Sequence, residues 1–121
     1  MPYSVTYSEE GIICVTVEGH LDIKLLHDIA SDVAGLCKLH NCRLVLNDLR
    51  EASLPGSAGE VYFMPREAAR SGVSVGIKRA LLVNREEDEV YKFMETVFVN
   101  QGNSVKIFYD RAIAMHWLLN E

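Results

Sequence analysis

The sequence predicts an α/β fold: a mainly parallel sheet of about five strands, with one antiparallel strand at its N-terminal edge, covered by about four helices. Three observations carry this. Short apolar runs alternate with longer amphipathic stretches, the first two runs are separated only by Glu9-Glu10-Gly11, and capping residues stand where helices should begin. The 121 residues suit one domain spanning positions 1–121, and 49% hydrophobic content supplies one core.

Tyr3 to Ser8 alternates apolar or aromatic with small polar residues, the period of an edge strand with one face in water. Ile12 to Val17 is nearly continuous apolar sequence, as a strand covered on both faces requires, and the two runs form a hairpin. Asp22 caps a first helix whose inner stripe is Leu26, Ile29, Ala30, Val33, Leu36 and Cys37, ending near His40-Asn41. Leu44-Val45-Leu46 is the next buried strand, and the polar residues from Asn47 onward read as a loop with a turn at Pro55-Gly56.

Ser57-Ala58-Gly59-Glu60 matches a capping box, so a second helix is expected there, broken at Met64-Pro65 because proline removes a donor and clashes with the preceding turn. Gly72 to Lys78 then reads as a connection, and Arg79 to Val83 as a fourth strand. Asn84 is expected to cap a helix that buries Val90, Phe93, Met94, Val97 and Phe98, with Gly102 just past its end. Ser104 to Phe108 is the fifth strand, and Asp110 caps a last helix that buries Ala114, Trp117 and Leu118.

Composition removes several functions. A formal charge of −5 and a pI near 5.3 oppose nucleic-acid binding, which needs clustered Lys and Arg to displace counterions. No apolar run approaches the roughly 20 residues of a membrane span, and the N-terminus lacks a basic segment followed by an apolar one. The expectation is a soluble, cytoplasmic chain without a cleaved leader. Cys14, Cys37 and Cys42 form an odd set without a CxxC pair, which fits reduced thiols.

His40 lies between Cys37 and Cys42, but no fourth ligand has diagnostic spacing, so no metal is expected. Gly72 and Gly76 lack the Gly-Lys-Ser/Thr ending of a phosphate loop, and no Ser-His-Asp or Cys-His set assembles. The reading is therefore a non-enzyme without a cofactor. In open α/β sheets the loops after the strands are where ligands and partners bind, which makes Asp22, Asn47, Asp48, Arg50, Ser53, Gly56 and Ser57 the candidate partner-binding residues. Within that loop Asp48 and Arg50 read as a solvated ion pair. Arg66, Arg70, Lys78 and Arg79 concentrate positive charge in an acidic chain and are the candidate anion-binding residues.

The run VTVEGHLDIKLLHDIASDV followed by RLVLNDLREASLPGSAGE resembles the STAS superfamily, the sulfate-transporter and anti-sigma-factor-antagonist domains. Its G-x-L-D, its Asn after the third strand and its D-S-[ST]-G-like turn correspond to Gly19-His20-Leu21-Asp22, Asn47 and Gly56-Ser57-Ala58-Gly59. The end of the chain is similar to a SpoIIAA-like subgroup related to lipid-binding CRAL-TRIO domains, with Phe108, Asp110, Ala114, Trp117 and Leu118 on an F-x-D-x-x-x-A-x-x-W-L pattern.

The resemblance implies a SpoIIAA-like fold and a regulatory module that binds another protein and is switched by phosphorylation. The family's phosphoacceptor is often the second hydroxyl of the turn. Here that position is Ala58 and the preceding Asp is Gly56, leaving Ser57 as the candidate phosphoacceptor, in competition with a plain capping role. The alternative reading is a carrier of a small apolar or lipid-like ligand, held between the broken second helix and the helix after Asn84.

Overall fold

The computed structural model describes residues 3–53, 77–85, 88–100 and 104–120. Their order is β1 (Tyr3–Tyr7), β2 (Ile13–His20), α1 (Ile23–His40), β3 (Leu44–Ser53), β4 (Lys78–Leu82), α2 (Asp88–Asn100), β5 (Ser104–Phe108) and α3 (Arg111–Leu119). The strands lie side by side as β1-β2-β3-β4-β5, with β1 antiparallel to β2 and every other pair parallel. This is the predicted sheet. Three helices fall within the described residues; the helix expected from Ser57 and its break at Met64-Pro65 lie outside them.

Glu9-Glu10-Gly11 forms the hairpin through a Gly11 N–H to Ser8 carbonyl bond of 3.1 Å and a Ser8 N–H to Ile12 carbonyl bond of 2.8 Å. Gly11 closes the loop at φ +84°, a left-handed conformation open to glycine at little cost. The β1 side chains reach up to α1. The Tyr3 hydroxyl donates to Asp32 Oδ2 at 2.7 Å, which pushes the phenol up to about 12, and Tyr7 stacks on His40 with ring centroids 3.8 Å apart.

Asp22 caps α1 by accepting the Leu25 N–H at 2.7 Å, and Asn41 ends it in the left-handed region at φ 50°. Ile29, Ala30 and Val33 are buried against Val15, Val17, Val45 and Leu81 on one face of the sheet. On the other face Ala114, Met115 and Leu118 of α3 cover Leu46, Ala80, Leu82 and Phe108. Because both faces are covered, β3 and β4 bury consecutive residues, which is why they read as unbroken apolar runs.

Four expectations change in the structure. β3 does not give way to a loop at Asn47 but runs on to Ser53, because β2 continues to His20 and extends the parallel ladder through Glu18↔Glu51, Gly19↔Ala52 and His20↔Ser53. Lys78 opens β4 rather than ending a connection. In α2 the buried anchor is Tyr91, 2% exposed, whereas Phe93 is 43% exposed. Two residues turn a helix by about 200°, so burying Tyr91 points Phe93 outward; the side chains of Val90, Met94, Val97 and Phe98 lie outside the description. Trp117 is only half-buried, since the inner face of α3 is taken by Ala114, Met115 and Leu118.

Candidate functional site

The C-terminal ends of β2 to β5 share one rim of the sheet, and the polar residues of interest collect there. The rim is shaped by an irregularity in β3. Thr16 pairs with Asp48 and Glu18 with Glu51, so Val17 alone stands opposite Leu49 and Arg50. This is a β-bulge: it breaks the inside-outside alternation and lets Ala52 rejoin the core that Leu49 occupies three residues earlier.

Asp48 holds the bulge. Its Oδ1 accepts from the Arg50 N–H at 3.2 Å and from Arg50 Nε at 3.0 Å, and its Oδ2 accepts from Arg50 Nη2 at 2.8 Å. One carboxylate thus fixes both the main chain and the guanidinium of the same residue. The Arg50 side-chain hydrogen bonds hold the Asp48 carboxyl below its ordinary value against a burial that acts the other way, with the Arg50 main-chain bond and the charges of Arg50 and Arg111 adding to the effect. Arg50 is shifted up in return.

The carbonyl of Arg50 accepts from Asn84 Nδ2 at 2.7 Å. Asn84 is the residue expected to cap α2, and its amide nitrogen is engaged across the rim; residues 86 and 87, between it and Asp88, lie outside the described residues, and with them the test of the cap. The next residue, Arg85, lays its guanidinium over the Tyr109 ring at 4.1 Å, joining the ends of β4 and β5. Asp110 caps α3 by accepting the Ile113 N–H at 3.1 Å.

The other candidates divide into groups. Asp22 comes close to Ser53, because the Leu21 N–H donates to the Ser53 carbonyl at 2.8 Å. Asn47 is set apart from Asp48: it lies in register with Val15 and Leu81, on the face covered by α1, while Asp48 lies in register with Thr16 and Leu82 on the opposite face. Gly56, Ser57, Arg66 and Arg70 lie outside the described residues.

Lys78 and Arg79 do not form one basic patch, since neighbours along a strand point to opposite faces. Lys78 Nζ sits 4.4 Å over the Trp117 ring and donates to the carbonyls of Trp117 and, at 2.9 Å, Asn120. Arg79 is 9% exposed among Val45 and Val105, and burial brings its guanidinium down to about 10, with the Cys37 thiol acting in the other direction. Burial in turn pushes the Cys37 thiol up, as does neighbouring Cys42. Among the described residues no three His, Cys, Asp or Glu side chains group as metal ligands, and no helix is long and apolar enough to cross a membrane.

Sequence reasoning placed Asp48 and Arg50 but overlooked Asn84, Arg85, Tyr109 and Arg111 as rim residues. The signal was available: each follows the end of a short apolar run, as Asn47 does, and the rule that favours the C-terminal ends of parallel strands applies to every strand alike.

The chain has a SpoIIAA-like fold. It superposes on an uncharacterised DUF3478-family protein with a SpoIIAA-like fold from Shewanella loihica PV-4, with a TM-score of 0.61 at 15% identity over 96% of this chain and 91% of that one. It also superposes on the anti-sigma factor antagonist SpoIIAA in its unphosphorylated form, with a TM-score of 0.56 at 13% identity over 98% of this chain and 99% of that one. The sequence itself matches no protein-family model and no curated protein.

Proposed function

We propose that this chain is a non-enzymatic regulatory module that works by binding another protein at the C-terminal rim of its sheet. The observation that carries the reading is Arg50: its side chain is 43% exposed, yet it is fixed on a bulge by two hydrogen bonds from its guanidinium to Asp48. An arginine held in one geometry loses little freedom on meeting a partner, and arginines are enriched among residues that dominate interface energies. Arg85, braced on Tyr109, offers a second such group, so the fitting partner surface carries carboxylates.

Support also comes from the fold shared with an anti-sigma factor antagonist. In this reading Ser57 is the hydroxyl at which phosphorylation switches the module, adding between about one and two negative charges beside the rim residues in sequence.

Photo-crosslinking in the native host tests the binding reading, with the reactive residue at position 51 on the rim or at position 38 in the last turn of α1. A discrete adduct from position 51, absent from position 38 and lost in Arg50→Ala, is the expected result. Equal adducts from both positions, or one indifferent to Arg50→Ala, would overturn it. Intact mass of the same preparation tests the switch: a phosphorylated species that disappears in Ser57→Ala supports it, and a single unmodified mass removes it.

A further inference from the structure

The sheet has two edges, and the chain treats them differently. On β5 the Ile107 N–H donates to Glu95 Oε2 at 2.7 Å, so a carboxylate from α2 occupies a main-chain donor on that edge. An edge blunted in this way resists pairing with another strand. No equivalent cover lies along the outer side of β1 among the described residues.

The hairpin fixes which main-chain groups that outer side presents. Ser8 bonds across to Ile12, so in the alternating antiparallel pattern Thr6 and Ser4 also face β2, while Tyr3, Val5 and Tyr7 direct their N–H and C=O groups outward. Val5 is the centre of that row. The strand reads Tyr3-Ser4-Val5-Thr6-Tyr7, which has nearly the same chemistry in both directions and no charge, in a chain of net −5.

We propose that the occupant of this edge is a second copy of the chain, paired antiparallel about a two-fold axis at Val5. In that register Val5 meets Val5 of the other copy, Tyr3 meets Tyr7, and Ser4 meets Thr6. Aromatic, hydroxyl and β-branched residues each find their own kind, and such cross-strand pairs are the favourable ones. The outward groups of three residues on each copy complete about six main-chain hydrogen bonds, and the result is a continuous sheet with an isologous interface.

The side chains are already positioned for it. Tyr3 is held by Asp32 and Tyr7 by His40, so both rings stand ordered along α1 before a partner arrives. Beside His40, Leu39 is 74% exposed, an apolar side chain at the same end of the strand. A contact of five residues per copy is short, which makes this a weak, concentration-dependent dimer rather than an obligate one. It leaves Arg50 and the rim open on both copies, so its failure would not touch the reading of the rim.

Sedimentation equilibrium of the full chain from about 1 µM to 1 mM gives the test. The weight-average mass should climb from 13.6 kDa toward twice that value. Val5→Pro removes the donor at the two-fold axis while leaving the bonds to β2, since proline is tolerated where an edge N–H faces outward, and should weaken association at least about tenfold with an unchanged circular dichroism spectrum.

A second pair of variants does not depend on proline. Ser4→Lys/Thr6→Lys alone should stay monomeric because lysines would face each other, as should Ser4→Glu/Thr6→Glu, and an equal mixture of the two should associate again. A mass of one chain at every concentration would overturn the proposal. So would a dimer that forms equally well in folded Val5→Pro and in both charged variants.

Discussion

The side-chain amide of Asn84 donates to the main-chain carbonyl of Arg50 at 2.7 Å, past the last ladder pair between β3 and β4, Asp48↔Leu82. A side chain thus takes over where the sheet's own hydrogen bonding stops. Asn84→Ala should lower stability by about 0.5–1.5 kcal/mol, the usual net value of one hydrogen bond, seen as a lower denaturant midpoint at unchanged slope. Asn84→Asp keeps the shape but lacks the donor, so it should cost at least as much. A midpoint equal to that of the parent in both variants would show that the tether contributes nothing.

The Asp48–Arg50 pair predicts a pH dependence of defined sign. Folding lowers the Asp48 carboxyl below its ordinary value, first through the Arg50 side-chain bonds, so the folded state holds that proton less tightly than the unfolded one. The pair's contribution is complete above the unfolded carboxyl's pKa of about 4 and disappears as pH falls through the lower folded value. Arg50 is partly in water, so the whole effect should stay below about 1 kcal/mol. Denaturant unfolding of parent and Asp48→Asn across this range should give curves that separate near neutrality and converge in acid. A gap independent of pH would contradict the assignment.

How far these features were legible in the sequence differs from element to element. The strands, the hairpin, α1 and both aspartate caps follow from local signals: period, turn residues and a carboxylate at the right position. The second half of β3 did not, because its polar residues lack a core-facing alternation of their own. They are in a strand because β2 lies beside them, and that pairing is tertiary information. The bulge hides for the same reason, since it is a relation between two strands rather than a property of one. The ion pair Asp48–Arg50 could be anticipated from spacing, whereas its second function, holding the Arg50 N–H, could not.

Tyr91 and Phe93 exchange the parts that hydrophobicity alone would give them. Tyr91 is buried in the core on the sheet face that α1 also covers, with its hydroxyl 3.4 Å from the Ala52 carbonyl, while Phe93 faces water. A buried aromatic needs a partner for its polar atom, and the end of β3 supplies one. Tyr91→Ala should therefore cost about 3–5 kcal/mol, in the range of large-to-small core substitutions. Phe93→Ala should stay within about 0.5 kcal/mol of the parent, as surface changes usually do. Denaturant melts of the two variants side by side decide between this packing and one in which Phe93 is the anchor, for which the order would reverse.

Lys78 joins the start of β4 to the end of α3. Its ammonium lies over the Trp117 ring at 4.4 Å and donates to the Trp117 and Asn120 carbonyls, where a helix leaves its last carbonyls without partners and carries partial negative charge. Two contributions can be separated by substitution. Lys78→Met keeps an apolar stem against the indole but removes the charge, so it should lose only the helix-end term of about 0.3–1 kcal/mol. Lys78→Ala removes both and should cost more. Trp117 is the single tryptophan, so its fluorescence reports this corner alone. Iodide should quench it more in Lys78→Ala than in the parent, with Lys78→Met in between, because the stem shields a ring that α3 leaves half-exposed. Equal quenching in all three proteins, together with equal denaturant midpoints, would mean that the ammonium neither caps α3 nor covers Trp117 in solution.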